Sequence, residues 1–195
     1  LVFGDRLKIY ILDRCGNTRV HVAEYFPSSA QNNYILDYYG NETKARIVVT
    51  DTTGLVHCIY FNGNHTTIDL GRFTSNHFFD CKDMDGDYKA EYIFLDNNKL
   101  SVIKENKTLL YEFTFNNIIH FRPMYYNFGI KDKKLGVVSD KDNLIFLINN
   151  DGQTYKGFPL RGNSPFSIGY LNKNSTTFNL IVGNNDNFLY NYTVQ

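Results

Sequence analysis

The chain has 195 residues, and its 20 Lys and Arg balance its 20 Asp and Glu, so the formal net charge is zero. That balance lacks the clustered positive charge typical of nucleic-acid-binding proteins, and no nucleic-acid partner is expected. No run approaches the roughly 20 apolar residues that a membrane-spanning helix needs, so no membrane span is expected. The 16 Phe and 15 Tyr, together with abundant Asn, favour strands and turns over helices.

A short apolar phrase closed by Asp or Asn recurs along the chain. Its copies end at Asp5, Asp51, Asp96, Asp140 and Asn184, in steps of 46, 45, 44 and 44 residues. A period in this range is typical of a stack of four-stranded blades. The sequence therefore predicts an all-β chain, a β-propeller segment of four-stranded antiparallel blades. A two-sheet sandwich would leave the period unexplained.

The repeat predicts a single propeller domain over residues 1–195. The blades are expected at about 1–29, 30–74, 75–116, 117–162 and 163–195, with the first and last incomplete. Because Leu1 already reads as the middle of a strand, we expect the chain to begin inside a longer protein. An open arc of blades exposes an unpaired edge, so association through that edge is one expected mode of partner binding.

Two blades can be divided into strands from the sequence. The second blade predicts strands at 34–39, 46–50, 55–61 and 66–73, and the fourth at 119–126, 135–139, 144–148 and 154–160. The third strand of each is almost continuously apolar. Such strands are typical of sheets covered on both faces, as neighbouring blades would provide.

One loop in the third blade carries an acidic motif. Asp83, Asp85 and Asp87 alternate with other residues, Gly86 permits a sharp turn, and Glu91 follows four residues after Asp87. Carboxylates at this spacing repel one another unless a cation neutralises them, and oxygen-rich loops suit Ca²⁺. The same residues in a solvated polar turn are the alternative. The spacing to the last acid is too short for an EF-hand.

This motif resembles the loops of the FG-GAP/VCBS repeats found in integrin-like propellers. In those repeats a loop close to Asp-x-Asp-Gly-Asp-Gly-x-x-Asp, between the first two strands of a blade, binds Ca²⁺. The resemblance implies that Asp83, Asp85, Asp87 and Glu91 are calcium ligands, although Tyr88 stands at the usual Gly and Glu91 at the usual Asp. The stretch 150–160 also resembles the turn and outer strand of bacterial FG-GAP and quinoprotein-like propellers, but the chain has no Trp for the docking motif of the quinoprotein type.

Two histidines are candidate channel residues. His77 and His120 are predicted to begin the first strands of their blades, the strands that line the channel of a propeller. They would converge on a ligand or metal, or they are satisfied polar residues near a channel mouth. No third ligand stands near them at a recognisable spacing.

The motifs favour a binding scaffold over an enzyme. The sequence has no Gly-x-Ser-x-Gly elbow, no His-Glu-x-x-His and no phosphate-cradling Gly loop. Tyr-rich segments at 37–39 and 125–127 suit contacts with a protein or carbohydrate ligand. A glycan-active hydrolase or lyase with its site in the propeller channel is one alternative, and a purely structural domain is another.

The amino-acid usage indicates a bacterial source. Richness in Asn, Lys, Ile, Tyr and Phe is what an AT-rich bacterial genome encodes. Together with the resemblance to FG-GAP/VCBS-like propellers, it favours a secreted, periplasmic or cell-surface protein. The three cysteines, Cys15, Cys58 and Cys81, lack metal-ligand spacing, and Cys58 is expected to be a small core residue.

Overall fold

Apolar runs separated by polar turns give an all-β structure. The computed structural model describes residues 1–5, 7–23, 25–38, 44–171 and 177–194. Over these residues it contains no α-helix, and none of its segments is a helix long and apolar enough to cross a bilayer. The strands are β1 (Val2–Gly4), β2 (Ile9–Leu12), β3 (Thr18–Val20), β4 (Ala30–Asp37), β5 (Arg46–Asp51), β6 (Val56–Tyr60), β7 (His65–Ile68), β8 (Phe78–Lys82), β9 (Glu91–Asp96), β10 (Lys99–Ile103), β11 (Leu109–Thr114), β12 (Met124–Gly129), β13 (Asp132–Ser139), β14 (Leu144–Asn149), β15 (Leu160–Arg161), β16 (Ser167–Gly169), β17 (Phe178–Gly183) and β18 (Leu189–Val194).

Strands that are neighbours in the chain are also neighbours in their sheets. The sheets are β1–β3, β4–β7, β8–β11, β12–β15 and β16–β18, and each keeps its strands in chain order. The recurring apolar phrase forms β1, β5, β9, β13 and β17. Each three- or four-stranded sheet is thus an antiparallel meander with the form of a propeller blade.

The chain divides into two compact units. One contains Leu1–Asp96 and Leu100–Glu112, and the other contains Asn97–Lys99 and Phe113–Gln195. The first unit holds the sheets β1–β3 and β4–β7 and most of β8–β11. The second holds β12–β15 and β16–β18, with a core in which Val138 and Ile145 pack with Leu180 and Val182.

Strand β5 shows why the recurring phrase is continuously apolar. All of its residues are buried. Ile47 and Val49 belong to one hydrophobic cluster with residues of β2, whereas Val48 belongs to another with residues of β8 and β9. Side chains that alternate between two cores need apolar residues at every position. Strand β6 has four of its five residues buried, which confirms the predicted two-sided cover for the second blade.

The predicted start of the first strand in the fourth blade is wrong. Strand β12 begins at Met124 and not at residue 119. Pro123 stands immediately before it, and a proline cannot donate a backbone hydrogen bond to a sheet. Residues 119–123 are therefore a connection, although their apolar character suggested a strand.

The predicted fourth strand of the same blade is also too long. Strand β15 contains only Leu160 and Arg161, and Thr154 makes a single isolated bridge to Ile148. Between them Gly157 has a φ of 91°, and Pro159 has no amide hydrogen. These two residues prevent a continuous strand over 154–160.

The cysteines behave as the composition suggested. All three are free thiols, with Cys15 exposed and Cys58 and Cys81 buried. Burial raises the pKa of Cys58 to about 11. Cys58 is therefore a small core residue, as predicted, and has little thiolate character.

A glycine at the β5–β6 turn gives the first testable prediction. Gly54 has a φ of 86°, and an added Cβ would lie 2.4 Å from Cδ2 of Phe73. Gly54→Ala is expected to lower the free energy of unfolding by about 2–4 kcal/mol, because backbone strain and overpacking add. Urea denaturation followed by circular dichroism measures the change. Gly16→Ala is the matched control, because Gly16 has a φ of 85° with no atom within 4 Å of an added Cβ. Equal losses in the two variants would contradict the overpacking contribution.

Candidate metal centre

The acidic loop joins β8 to β9, the first two strands of the third sheet. Met84 is completely buried, so its side chain anchors the loop to the core. Asp83 and Asp85, on either side of it, are only partly buried. The loop then turns at Gly86 and returns to the sheet at Glu91, the first residue of β9. One apolar anchor thus places the acidic residues at the same end of the blade.

Three of the four predicted ligands come together. Asp83, Asp85 and Glu91 each offer a carboxylate oxygen, and these oxygens lie within 4.8 Å of one another. A Ca²⁺ ion binds its oxygen ligands at about 2.3–2.6 Å, so oxygens on either side of one ion lie up to about 5 Å apart. The side chains present therefore fit a calcium ion.

Backbone amides hold Asp83 in place. Its Oδ1 accepts a hydrogen bond from the Gly86 amide at 2.7 Å, and its Oδ2 accepts one from the Tyr88 amide at 3.2 Å. Gly86 and Tyr88 both have positive φ, at 80° and 67°. Tyr88 therefore takes a left-handed conformation, which a Gly would adopt with less strain.

Asp87 and Lys104 distinguish this loop from the predicted four-ligand site. Asp87 is not part of the carboxylate cluster, and its Oδ1 accepts a hydrogen bond from the Lys89 amide at 2.8 Å. The Lys104 ammonium forms an ion pair with Asp85. The hydrogen bond from Lys104 to Asp85 raises the pKa of the lysine. A positive charge thus already contacts one of the clustered carboxylates.

Glu91 is the buried acid of the cluster. It is 2% exposed, and its Oε2 accepts a hydrogen bond from the Met84 amide at 2.7 Å. Burial, followed by the charges of Asp85, Asp87 and Asp83, raises the pKa of Glu91 to about 7, while the Met84 amide opposes the shift. Near neutral pH this carboxyl is therefore partly protonated. A cation that binds the carboxylate form would displace the proton.

A buried arginine network near this sheet was missed by the sequence analysis. Arg46 is 2% exposed. Its Nε donates to Asp37 Oδ2 at 2.9 Å, its Nη1 to Glu105 Oε1 at 2.7 Å and its Nη2 to the Tyr92 hydroxyl at 3.1 Å. Such a network joins β4, β5, β9 and the loop after β10 by charge-assisted hydrogen bonds. The only indication in the sequence was that Arg46 stands immediately before the apolar residues of β5.

His77 is a satisfied buried residue. It is 1% exposed, its Nδ1 lies 2.7 Å from the Thr74 carbonyl, and its Nε2 lies 3.0 Å from Thr50 Oγ1. A carbonyl only accepts, so Nδ1–H donates to it, while Nε2 contacts the Thr50 hydroxyl. It directly precedes β8, close to the predicted strand start. Both ring nitrogens contact protein groups, which agrees with the alternative prediction that His77 is a satisfied polar residue.

His120 does not begin a strand, which corrects that part of the prediction. It lies four residues before β12 and is exposed, with its Nδ1 3.0 Å from Asp140 Oδ1. Asp140 closes the fourth copy of the recurring phrase. In the third copy the closing acid, Asp96, instead accepts hydrogen bonds from the amide and hydroxyl of Thr74. Both acids tie the end of a second strand to the segment that enters the first strand of the same blade.

Of the two Tyr-rich segments predicted as contact loops, one lies in a strand, and the other exposes Tyr38. Residues 125–127 lie inside β12, and the Tyr126 hydroxyl donates to the carbonyl of Phe166. Asp37 is buried against Arg46. Tyr38 is 54% exposed, and Tyr39 lies outside the described residues.

Comparison with solved structures decides the fold. BBS1N, an N-terminal β-propeller crystallised in complex with ARL6DN, superposes with a TM-score of 0.53 at 10% identity over 85% of this chain and 54% of that one. A second crystal of the complex gives 0.53 at 12% identity, over 96% of this chain and 53% of that one. The chain is a β-propeller segment. It spans about half the length of BBS1N.

A protein of unknown function from Bacteroides caccae is also similar. Its TM-score is 0.49 at 12% identity, over 100% of this chain and 70% of that one. No protein-family model matches the sequence, and no curated protein matches it. The β-propeller assignment therefore rests on the blades and on the BBS1N superposition.

Proposed function

We propose that this propeller segment is a non-enzymatic, calcium-stabilised scaffold of the FG-GAP/VCBS-like type that binds a protein partner outside a bacterial cell. The observation that carries the proposal is the convergence of Asp83, Asp85 and Glu91 at the β8–β9 loop. That loop joins the first two strands of its blade, as in FG-GAP/VCBS-like repeats. The bound ion would supply positive charge that offsets the repulsion between these carboxylates.

Protein binding is supported by the fold comparison. BBS1N has the same fold and was crystallised in complex with ARL6DN. Propeller blades present many loops on a rigid frame, which suits recognition of another protein. The glycan-active hydrolase or lyase gains no support from the described side chains, whose buried histidines have protein partners at their ring nitrogens. No described side chain singles out a carbohydrate ligand.

Calcium addition is expected to stabilise the protein. At a calcium concentration about 100 times the dissociation constant, binding adds about 2.7 kcal/mol to the free energy of unfolding. For a chain of this size, that gain raises Tm by about 5–10 °C. Thermal melts in excess Ca²⁺ and in EDTA measure the shift, and a calorimetric titration gives Kd. Asp85→Asn is expected to abolish most of the shift, and Asp87→Asn to change it less, because only Asp85 belongs to the cluster. No shift in the parent protein would refute the calcium site.

Lys104 provides a sharper test of the same site. Its ammonium must leave Asp85 before a cation can use both oxygens of that carboxylate. Lys104→Met is expected to tighten calcium binding about two- to fivefold, since an exposed ion pair contributes up to about 1 kcal/mol. Lys89→Met is the matched control, because Lys89 is an exposed lysine of the same loop. Equal effects of the two substitutions would mean that calcium binding depends on the net positive charge of the region and not on the Lys104–Asp85 contact.

The dissociation constant also tests the proposed location. Extracellular calcium-binding modules have Kd values of about 10⁻⁴–10⁻³ M, whereas intracellular sensors bind more tightly. A site with only three clustered protein carboxylates and a competing lysine is expected in the weaker range. Submicromolar calcium binding would contradict the proposed location outside the cell.

A further inference from the structure

Strand β18 is an open edge of the last sheet. Among the described residues it pairs only with β17, as the third strand of β16–β18. The third strands β6, β10 and β14 of the four-stranded sheets each have a fourth strand beside them. No described residue supplies a fourth strand for β18, so one side of its backbone has no partner strand.

The hydrogen-bond register shows which residues face the open edge. The Asn184 amide donates to the Phe188 carbonyl at 3.1 Å, so these two residues form a hydrogen-bonded pair at the β17–β18 turn. Hydrogen-bonded and non-hydrogen-bonded pairs alternate along an antiparallel ladder. The even-numbered residues of β18 therefore bond to β17. The residues whose amides and carbonyls point to the open edge are Leu189, Asn191 and Thr193.

This edge lacks the usual protection against the addition of a strand. Its six residues, 189–194, pair with β17 without a register shift, whereas the β2–β3, β4–β5 and β12–β13 pairs each contain one. The six residues include no proline and no charged side chain, two features that block strand pairing at natural edges. Strand β18 is therefore a regular edge that can accept another strand.

An apolar groove lies beside the open edge. It has a volume of about 290 Å³ and is formed by β18 and the segment 156–160 that leads into β15. Its apolar lining consists of Phe158, Leu160, Tyr192 and Val194, all of which pack at the margin of the core of this unit. Side chains alternate between the two faces of a strand, so a strand added beside β18 would place every second side chain over this groove. The groove thus favours apolar residues at alternate positions of the added strand.

Positive charge borders the same groove. Lys156 lines it, is exposed, and has no ion-pair partner among the described residues. A partner strand with an Asp or Glu beside Lys156 would complement this charge. The residues of β18 are uncharged, so the β18 of a second copy could not offer Lys156 a carboxylate. Charge complementarity therefore favours a segment of another protein over a second copy of this chain.

We propose that β18 is a docking edge for an extended segment of a partner protein, with alternating apolar residues and an acidic residue, which adds a fourth strand to β16–β18. Hydrogen bonds to the outward backbone groups of Leu189, Asn191 and Thr193 would give affinity, and the groove and Lys156 would give specificity. This inference rests on the proposed function, in which the segment binds a protein, and specifies the strand and the chemistry of that contact. It does not depend on calcium.

Hydrogen exchange in the presence of a synthetic peptide tests the docking edge. The probe is acetyl-Glu-Val-Thr-Val-Thr-Val-amide, which has one acid and apolar residues at alternate positions. At a peptide concentration about ten times Kd, the amides of Asn191 and Thr193 should exchange about tenfold more slowly, because they are exposed only in the unbound fraction. The Tyr192 amide, which already bonds to β17, should change less. Unchanged exchange of Asn191 and Thr193 at about 1 mM peptide would overturn the proposal.

Two variants of one residue separate strand pairing from side-chain effects. Thr193→Pro removes an outward amide hydrogen and places a ring on the open edge, so the affinity for the fluorescein-labelled probe should fall at least about tenfold. The Thr193 amide does not bond to β17, so the sheet itself should persist. Thr193→Val is the matched control, because it keeps the amide, and its affinity should stay within about twofold of the parent. Equal affinities of the two variants would overturn strand addition.

Charge reversal gives a test that needs no proline. Lys156→Glu should weaken binding of the probe about two- to fivefold and strengthen binding of the same peptide with Lys in place of Glu. Lys141→Glu is the matched control, because it makes the same change of net charge at an exposed lysine that does not line the groove. Equal effects of the two substitutions would overturn the proposed chemistry of the partner.

Sedimentation equilibrium and the calcium melts separate the other outcomes. Dimerisation of the parent protein that Thr193→Pro abolishes would assign the edge to a second copy and overturn the proposal. Peptide binding at β18 without any effect of Ca²⁺ on Tm would support the docking edge and refute the calcium site. A protein partner that binds parent and Thr193→Pro equally would support the proposed protein binding and overturn the docking edge.

Discussion

Arg46→Met is expected to lower the free energy of unfolding by about 3–5 kcal/mol, because it leaves the buried Asp37 carboxylate without its guanidinium. Asp37 is 8% exposed, so water cannot replace the lost cation fully. Glu105 loses the same partner but is better hydrated, with its side chain 28% exposed. Urea denaturation monitored by circular dichroism measures the loss. The chain contains no Trp, so tryptophan fluorescence is not a usable signal.

Two further variants separate charge from packing. The double variant Arg46→Met, Asp37→Leu is expected to recover much of the loss, since apolar pairs often replace buried ion pairs at little cost. Lys82→Met is the control for a more exposed pair, because Lys82 lies 3.5 Å from Asp80 with 36% of its side chain exposed. It should cost less than about 1 kcal/mol. If Arg46→Met costs no more than this control, the network contributes no net stability.

Glu91→Gln is expected to stabilise the calcium-free protein at alkaline pH. Burial, with the charges of Asp85, Asp87 and Asp83, raises the pKa of Glu91 to about 7, above its ordinary value of 4.5. The stability contributed by the protonated form is therefore present below about pH 4.5 and lost as the pH rises through about 7. Gln resembles the protonated acid at every pH. At pH 8.5 in EDTA, the variant should exceed the parent by up to about 3 kcal/mol.

Unfolding free energies from pH 4.5 to 8.5 check this prediction. The two proteins should be equally stable at the acid end and diverge as the pH rises. Glu112→Gln serves as the control, because Glu112 is an exposed acid on β11 of the same sheet. In excess Ca²⁺ the order should reverse, because Gln supplies a weaker ligand than a carboxylate. Parallel pH profiles for parent and Glu91→Gln would contradict the raised pKa.

The repeat made the fold predictable because its apolar pattern depends on neighbouring residues of a single strand. The recurring phrase is apolar for a physical reason visible in β5, where Ile47 and Val48 enter different cores. The misplaced strand ends have equally local causes. Pro123 delays β12 and Gly157 interrupts the last strand of that blade, and the hydrophobic pattern outweighed both residues in the prediction.

The candidate metal centre was predictable because its residues lie close together in the sequence. Asp83, Asp85 and Glu91 span nine positions of the sequence, so their spacing alone suggested that they meet. The Arg46 network was not predictable in this way. Its partner Asp37 lies 9 residues away, opposite Arg46 in the β4–β5 pair, whereas Glu105 lies 59 residues away and follows a strand of the next sheet. The contact between the rings of His57 and His65 depends likewise on the β6–β7 pairing register.

Strands β5 and β9 open with buried ionic residues of opposite sign, Arg46 and Glu91, at the same position of the repeat. The corresponding residue at the fourth copy of the phrase is the apolar Leu135. The blades are therefore not interchangeable modules, although their hydrophobic patterns match. Exchange of β5 for β9 in a chimaera would place a carboxylate beside Asp37 and a guanidinium beside Met84. A consensus blade built by averaging the repeats would erase this position, which distinguishes the second blade from the third.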